Sequence, residues 1–408
     1  MPKDISLSES FVFHRRKFLT TLAAGAGTLA LGACGGGGSP SDAAVTGAAA
    51  AGAAGASSAS GASGASAAES AAAASGASAS SVVDDATAVD ATNQEAVSTA
   101  AANTVNDTAF GVKGDGTTND RVALQAAIDA SVGEVLVITG KSRIDPVGLT
   151  LHSNTHLRFA SGASIKMLPH NTDSYTMLRI WDASNVVVEN AVVDGSKALN
   201  SATPQPKSNG WGMGISIAGS SNVTLIAPTT IDCWGDGIYI ARSYGSAVTP
   251  SRNINVTMHH ANGCRRQGVS IIGGSNIVFQ RPLWENIGGT LPSAGLDIEP
   301  NSNADIIEGI KINNPVTRNC SIGILIYLAE LPGPLAKTVT VDIVQHRDES
   351  STSAAFAVEA LETNGRSVTG HIASQSPTWV RPKHTPFVTV DYDKAGPAIE
   401  VTNPTTVN

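Results

Sequence analysis

The feature that most constrains this chain is a tetrad, Gly-apolar-variable-apolar, that returns five times. It reads Gly214-Ile-Ser-Ile217, Gly237-Ile-Tyr-Ile240, Gly268-Val-Ser-Ile271, Gly295-Leu-Asp-Ile298 and Gly323-Ile-Leu-Ile326. The glycines are 23, 31, 27 and 28 residues apart. Between the tetrads recur asparagine-opened runs: Asn185-Val-Val-Val188, Asn222-Val-Thr-Leu225, Asn253-Ile-Asn-Val256 and Asn276-Ile-Val-Phe279. Period-two alternation broken by Asn, Gly and Ser is strand-and-turn chemistry, with no helical period. A repeat of this length built from short strands is one coil of a solenoid. Stacking sets each coil about 4.8 Å above the last, so equivalent strands pair in parallel, and right-handed winding is the default. Aromatic residues make up only 4% of the chain, too few for a thick globular core and suited to a thin interior of Ile, Val and Leu.

A solenoid must cap its exposed end. The segment Asp120-Arg-Val-Ala-Leu-Gln-Ala-Ala-Ile-Asp-Ala-Ser131 predicts a short amphipathic helix with Asp120 as N-cap. Upstream of it, Phe110-Gly-Val-Lys-Gly-Asp-Gly-Thr-Thr-Asn-Asp120, followed by Leu124-Gln-Ala-Ala-Ile128, resembles the N-terminal signature of pectate-lyase-like β-helix proteins. Gly148-Leu-Thr-Leu-His-Ser-Asn154, Gly162-Ala-Ser-Ile165 and Asn185-Val-Val-Val-Glu-Asn190 are similar to their early coils. The resemblance covers roughly 107–330 and implies an all-β, right-handed parallel β-helix. That family holds polygalacturonase-like hydrolases, polysaccharide lyases, epimerases and phage tailspikes, so the fold alone does not select a reaction.

Within each tetrad the apolar residues point inward and the variable position outward, which aligns Ser216, Tyr239, Ser270, Asp297 and Leu325 in one column. Glu299 follows Asp297 by two, so both carboxylates project from one face with Cα atoms about 6.7 Å apart. Asp236 opens a strand two coils earlier, about 10 Å away by the coil spacing. Arg265, Arg266 and Gln267 enter the strand of the coil between them. This is the best site in the sequence, with Asp236, Asp297, Glu299 and Arg266 as catalytic candidates. Tyr239, Arg265, Gln267, Ser270 and Tyr327 are the substrate-binding candidates on the same face.

Two chemistries fit. A hydrolase would use one carboxylic acid to protonate the leaving oxygen and another to activate water, and would need no cofactor. A lyase would bind Ca²⁺ through Asp236, Asp297 and Glu299 while Arg266 or Arg265 abstracted a proton, a demanding task for a group whose pKa exceeds about 12. Trp234-Gly-Asp-Gly-Ile-Tyr239 resembles the Gly-Asp-Asp segment of the polygalacturonase-like hydrolases, with Gly237 in place of the second Asp. The hydrolase reading is slightly ahead of the lyase on the carboxylate count. A non-catalytic glycan-binding or adhesin-like solenoid is the rival from another class, and a uronate epimerase is third. The same residues also fit a solvated ladder of local ion pairs, Arg265 or Arg266 with Asp297.

Other signals carry less. Gly214-Ile-Ser216-Ile-Ala218 has the form of a nucleophile elbow, but its recurrence marks Ser216 as ladder. His259 and His260 are adjacent on a strand and must face opposite sides. No metalloprotease helix, zinc cysteine pairing or Walker loop occurs, and the Gly111–Gly116 turn lacks the Lys-Ser/Thr ending of a phosphate loop. A net charge of −8 with no basic block after residue 20 argues against a nucleic-acid partner and leaves a polysaccharide, even an acidic one, open. Cys233 and Cys264 each precede a tetrad glycine by four and should stack, as adjacent thiols in preference to a disulfide.

The N-terminus reads His14-Arg15-Arg16-Lys17-Phe18-Leu19, a short apolar run, then Leu31-Gly32-Ala33-Cys34. It resembles a twin-arginine export signal ending in a lipobox, which implies lipidation of Cys34 and a protein held by a membrane anchor in the cell envelope, at the outer membrane or cell surface. From Gly35 to Asn106 the chain is Ala, Gly and Ser with scattered acids, a composition that predicts a disordered tether spanning about 45 Å. The expected organisation is therefore a signal over 1–34, a tether over 35–106 and a β-helix over 107–408, with 337–408 as either a cap or further coils.

Overall fold

The alternating apolar runs form short strands, and in the computed structural model these wind into a right-handed parallel β-helix. The structure describes residues 103–172, 174–201, 211–245 and 248–408. The expected signal with Cys34, and all but the last residues of the expected tether, lie outside the described residues. Each full coil places one strand in each of three sheets, called A, B and C in chain order. Ser221–Ile226, Thr229–Ile231 and Asp236–Ala241 make one such coil. Sheets A and B have eleven strands each and sheet C has nine.

The corners explain the asparagines. A residue must turn the chain sharply where sheet A begins, and Asn185, Asn222, Asn253 and Asn276 do so with φ between 54° and 58°. Asn tolerates this left-handed conformation better than most side chains. Their stacked amides also bond to one another: Asn185 donates to Asn154 (3.1 Å), Asn222 to Asn185 (3.1 Å), Asn253 to Asn222 (3.0 Å) and Asn276 to Asn253 (3.2 Å).

The tetrad glycines have a different cause. A Cβ on Gly237 would lie 2.6 Å from the Gly268 carbonyl oxygen, on Gly268 2.5 Å from that of Gly295, and on Gly295 2.7 Å from that of Gly323. Successive coils approach too closely there for any side chain. Following each glycine, the apolar pair enters the core, as Ile238 and Ile240 or Leu296 and Ile298 do. Each fully buried aliphatic side chain contributes about 1.5–3 kcal/mol relative to exposure.

The capping helix α1 spans Arg121–Ala130 and buries Leu124, Ala127 and Ile128. Asp120 precedes it but makes no side-chain cap. Its carboxylate accepts hydrogen bonds from the backbone of Lys113 (2.8 Å) and Gly114 (2.9 Å), so it ties down the preceding turn instead. The solenoid starts earlier than expected: Thr104–Asn106 pairs with Val135–Val137 as the first strand of sheet A. Residues 337–408 are further coils, ending with strands Ala398–Thr402 in sheet A and Thr405–Val407 in sheet B. His259 is buried and His260 faces outward to Glu285, as their adjacency required. Cys233 and Cys264 are buried, free and close enough for their thiols to hydrogen-bond. Among the described residues no helix is long and apolar enough to cross a membrane.

Candidate functional site on sheet C

Register assembles the site. Ser216 pairs with Tyr239, Tyr239 with Ser270, Ser270 with Asp297 and Asp297 with Leu325, so the expected outward column exists. Arg179 extends it by one coil beside Ser216. A second outward column, two residues later in each strand, runs through Trp181, Ala218 and Ala241, and contains Tyr327 further on. Asp236 and Gln267 are register partners one position before the tetrads.

The column is buried, which corrects the expectation of a solvated ladder: Asp236, Gln267 and Asp297 are inaccessible to solvent and Ser270 nearly so. Charges survive burial only when paired and hydrogen-bonded, and these are. Arg266 grips Asp236 bidentately, Nε to Oδ1 at 2.7 Å and Nη2 to Oδ2 at 2.5 Å. The Ser270 hydroxyl donates to Asp236 Oδ2 at 2.9 Å. Gln267 donates from Nε2 to Asp297 Oδ2 at 2.7 Å and accepts at Oε1 from the Ala294 amide at 2.9 Å, which fixes its orientation. The Arg266 guanidinium also lies 5.3 Å from the Trp211 ring centre.

This geometry holds the Arg266 guanidinium in its charged form. Burial works against its charge, but attraction and hydrogen bonding to Asp236, with a further contribution from Glu299, raise its pKa above the ordinary guanidinium value. Arg265 serves elsewhere: Nε donates to the Trp234 carbonyl (2.8 Å), Nη1 donates to Thr290 Oγ1 (2.6 Å), and the guanidinium stacks 4.3 Å from the Trp234 ring. It pins the 286–293 turn beside the site. Asp236 has committed its oxygens, and among the described residues no group of three His, Cys, Asp or Glu side chains could hold a metal ion.

Tyr239 is buried and packs edge-on against Trp211, with 5.8 Å between ring centres, and so is not an open sugar platform. Tyr327 is likewise buried, in an apolar cluster with Ala294, Ile322 and Leu325. Ser216 is a ladder residue, its hydroxyl accepting from Trp181 Nε1 at 3.0 Å. Gly237 cannot be the aspartate of the hydrolase segment it resembles, because its Cβ would sit 2.3 Å from Thr230 Oγ1.

Sequence reasoning missed the open aromatics. Trp181 and Tyr244 are 38% and 54% exposed and meet edge-on at 4.9 Å between ring centres. The coil of Trp181 escaped the repeat because Met177 stands where the tetrads have glycine, one residue before Leu178, which pairs with Ile215. Tyr244 lies in the turn after a tetrad strand, outside the alternating pattern.

Fold and buried polar cluster together define the chain as a right-handed parallel β-helix carrying a polar constellation on the outer side of one sheet. No protein-family model matches it. Two proteins of Bacillus subtilis (strain 168) are similar in sequence. The uncharacterized protein YclG is 24% identical over 204 residues, which cover 48% of this chain and 34% of YclG. The SPbeta prophage-derived uncharacterized protein YorA is 27% identical over 162 residues, covering 37% and 28%. The matched region thus spans only about a third of the length of these curated relatives. Among solved structures, the bacteriophage phi29 gene product 12 N-terminal fragment superposes with a TM-score of 0.56 at 18% identity, over 74% of this chain and 53% of that one. A 1,3-α-1,4-β-D-galactose-4-sulfate-3,6-anhydro-D-galactose-2-sulfate 4 galactohydrolase gives 0.58 at 14% identity, over 75% and 88%. The family GH82 iota-carrageenase from A. fortis gives 0.58 at 14% identity, over 75% and 87%. At such identities the likeness is one of fold.

Proposed function

We propose that the outer side of sheet C cleaves a polysaccharide by hydrolysis, with the half-buried Glu299 as the carboxylate that meets the sugar and the buried Asp297 as its partner in the acid–base pair. The observation that carries this reading is the buried, mutually bonded set of Asp236, Arg266, Gln267, Ser270 and Asp297. Two carboxylates and a guanidinium withdrawn from water are costly for a merely structural sheet face, and such clusters concentrate at functional sites. In this reading Asp297 is held by Gln267, and Glu299 lies on the same side two residues on. The Asp236–Arg266–Ser270 network positions them and supplies fixed charge opposite the sugar. A carboxylate spacing near 6.5–9.5 Å would leave room for an attacking water and invert the anomeric centre. An Arg266 held charged by Asp236 favours hydrolysis over a lyase mechanism with an arginine base. The similar folds of a galactohydrolase and an iota-carrageenase support a polysaccharide as substrate.

The test incubates the full chain with iota-carrageenan, polygalacturonate and neutral galactan and follows reducing ends and ultraviolet absorbance separately. Hydrolysis raises reducing ends without absorbance at unsaturated ends, and Asp297→Asn or Glu299→Gln should lower the rate by about 10²–10⁴-fold. Unchanged rates in both variants would sink the assignment. The rival, a glycan-binding solenoid that cuts nothing, draws on the same commitment of Asp236 to Arg266, and predicts saturable binding with no change in chain length.

Export by the twin-arginine route and acylation at Cys34 belong to the same proposal. Labelled palmitate should enter the wild-type chain in cells and be absent from Cys34→Ala.

A further inference from the structure

Trp181 ends the strand Ser174–Trp181 on the outer side of sheet C, and its register partners along the second column are Ala218 and then Ala241. Two alanines in succession leave a shallow floor next to the indole. Tyr244, in the turn after the strand Asp236–Ala241, folds back across that floor to meet Trp181 edge-on. One residue orients both rings: Ser216 Oγ accepts from Trp181 Nε1 at 3.0 Å and is hydrogen-bonded to the Tyr244 hydroxyl. Large exposed rings held in place by side-chain hydrogen bonds bring apolar contact area with little ordering entropy left to lose.

Beside the rings lies a cation. Arg179 is half-buried, its guanidinium 5.5 Å from the Trp181 ring centre, with Nε donating to Thr150 Oγ1 at 3.1 Å. Burial and the nearby Arg121 charge both lower its pKa from the usual guanidinium value. Arg121 has its own carboxylate, Asp145, at 2.9 Å. Among the described residues no carboxylate pairs with Arg179: its Nη1 donates to the Val147 carbonyl, and the nearby Arg121 charge is repulsive. By coil spacing the strand of Trp181 lies about 10 Å from that of Asp236, whose coil also carries Tyr244, and about 19 Å from that of Asp297 along the same sheet.

We propose that Trp181, Tyr244 and Arg179 form a distal subsite for an anionic sugar, the rings stacking on the pyranose and Arg179 pairing with its carboxylate or sulfate. The subsite deepens the reading of sheet C as a polysaccharide site, and it rests on that reading for the direction in which the chain of sugars runs. It makes the substrate an acidic polysaccharide. A chain gripped at Arg179 and cut at Asp297 must span several sugar units, so long chains gain from the subsite and the shortest oligosaccharides do not.

The experiment measures retention of the full chain, in an Asp297→Asn background that leaves glycan intact, in native gels containing polygalacturonate, iota-carrageenan or neutral galactan. Retention on at least one acidic glycan and weaker retention on the neutral one are expected. Tyr244→Ala, in an exposed turn, and Trp181→Ala should each weaken binding about tenfold or more. Trp181→Phe keeps a ring and should retain most of the binding if the alanine variant fails to fold. Arg179→Gln should abolish the preference for acidic over neutral glycan, and comparison of the carboxylated with the sulfated polymer identifies the anion. No retention on either acidic polymer overturns the subsite, as does unchanged retention in folded Tyr244→Ala and Arg179→Gln variants. Ring-dependent binding in an Asp297-intact chain that releases no reducing ends upholds the subsite and overturns the cleavage reading.

Discussion

At the scale of single residues, the buried Arg266–Asp236 pair is the interaction on which the site depends most. Its worth lies in what its removal leaves behind. Two desolvated charges that bond to one another can be nearly neutral for stability, whereas one left alone is strongly unfavourable. Arg266→Ala should therefore destabilise the fold by about 3–5 kcal/mol in chemical denaturation, because Asp236 and the Ser270 hydroxyl remain in a dry sheet face. The double variant Arg266→Met with Asp236→Leu should recover much of that loss. A double variant as unstable as the sum of the singles would contradict the coupling. The residues Asp236, Arg266, Gln267, Ser270 and Asp297 could be named from the tetrad register alone. Which of them touch could not. The alternative reading of a solvated ladder has an arginine bond to Asp297, whereas the packing of adjacent coils gives Arg266 to Asp236 and Gln267 to Asp297.

At the scale of the element, the coil is the unit, and its tightest point is the tetrad glycine. Gly268 is enclosed by the Gly295 carbonyl oxygen and, at 3.2 Å from its built Cβ, by the Trp284 side chain. Backbone cannot retreat in a stacked solenoid without shifting the next coil. Gly268→Ala should lower the denaturation midpoint by the equivalent of about 1–3 kcal/mol or more. Gly288, whose added Cβ would meet nothing within 4 Å, is the control, and Gly288→Ala should fall within about 0.5 kcal/mol of wild type. Equal effects at the two positions would show that coil stacking is looser than the register implies. The tetrad was legible in sequence because this steric demand repeats. The coil of Trp181 was not, since Met177 occupies the glycine position and breaks the motif.

At the scale of the whole molecule, stability should fall with acid in a defined window. His259 lies inside the solenoid, with Nε2 against Thr230 Oγ1 (2.9 Å) and Nδ1 accepting from Trp284 Nε1 (3.2 Å). His346 meets Thr317 Oγ1 at 2.8 Å. Burial, aided for His259 by the neighbouring His260, lowers both pKa values to about 3 from an ordinary 6.5. Above pH 6.5 both imidazoles are neutral folded or unfolded and the linkage vanishes. Below it the unfolded chain takes up protons that the folded chain refuses, so stability declines until the pH reaches about 3. At pH 5 each histidine subtracts about 2 kcal/mol, about 4 kcal/mol for the pair. Asp305 and Asp348, raised by burial, oppose the trend only in the carboxyl range, and Glu189 and Glu349, lowered chiefly by hydrogen bonds from Arg158 and Arg318, reinforce it there. Urea midpoints at pH 7 and pH 5 should differ accordingly, and His259→Gln with His346→Gln should flatten the slope. Identical midpoints in the wild type would rule the histidines out.

The repeat alone determined the solenoid winding, the outward column and the asparagine turns, because period, alternation and coil spacing are local properties that stacking only copies. The number of sheets and the left-handed φ at the asparagines came from the folded coils. Tertiary structure decided what each outward side chain meets. The bonded partners come from adjacent coils, offset by one register step for Arg266 and Asp236 and by three for Gln267 with Asp297 and Ser270 with Asp236, distances that no single strand encodes. Burial of the column, the Arg266–Asp236 grip and the return of Tyr244 across two alanines to Trp181 all depend on side chains from separate coils sharing one face. The folded coils supplied the chemistry of the site by bringing together groups about 30 residues apart in the chain.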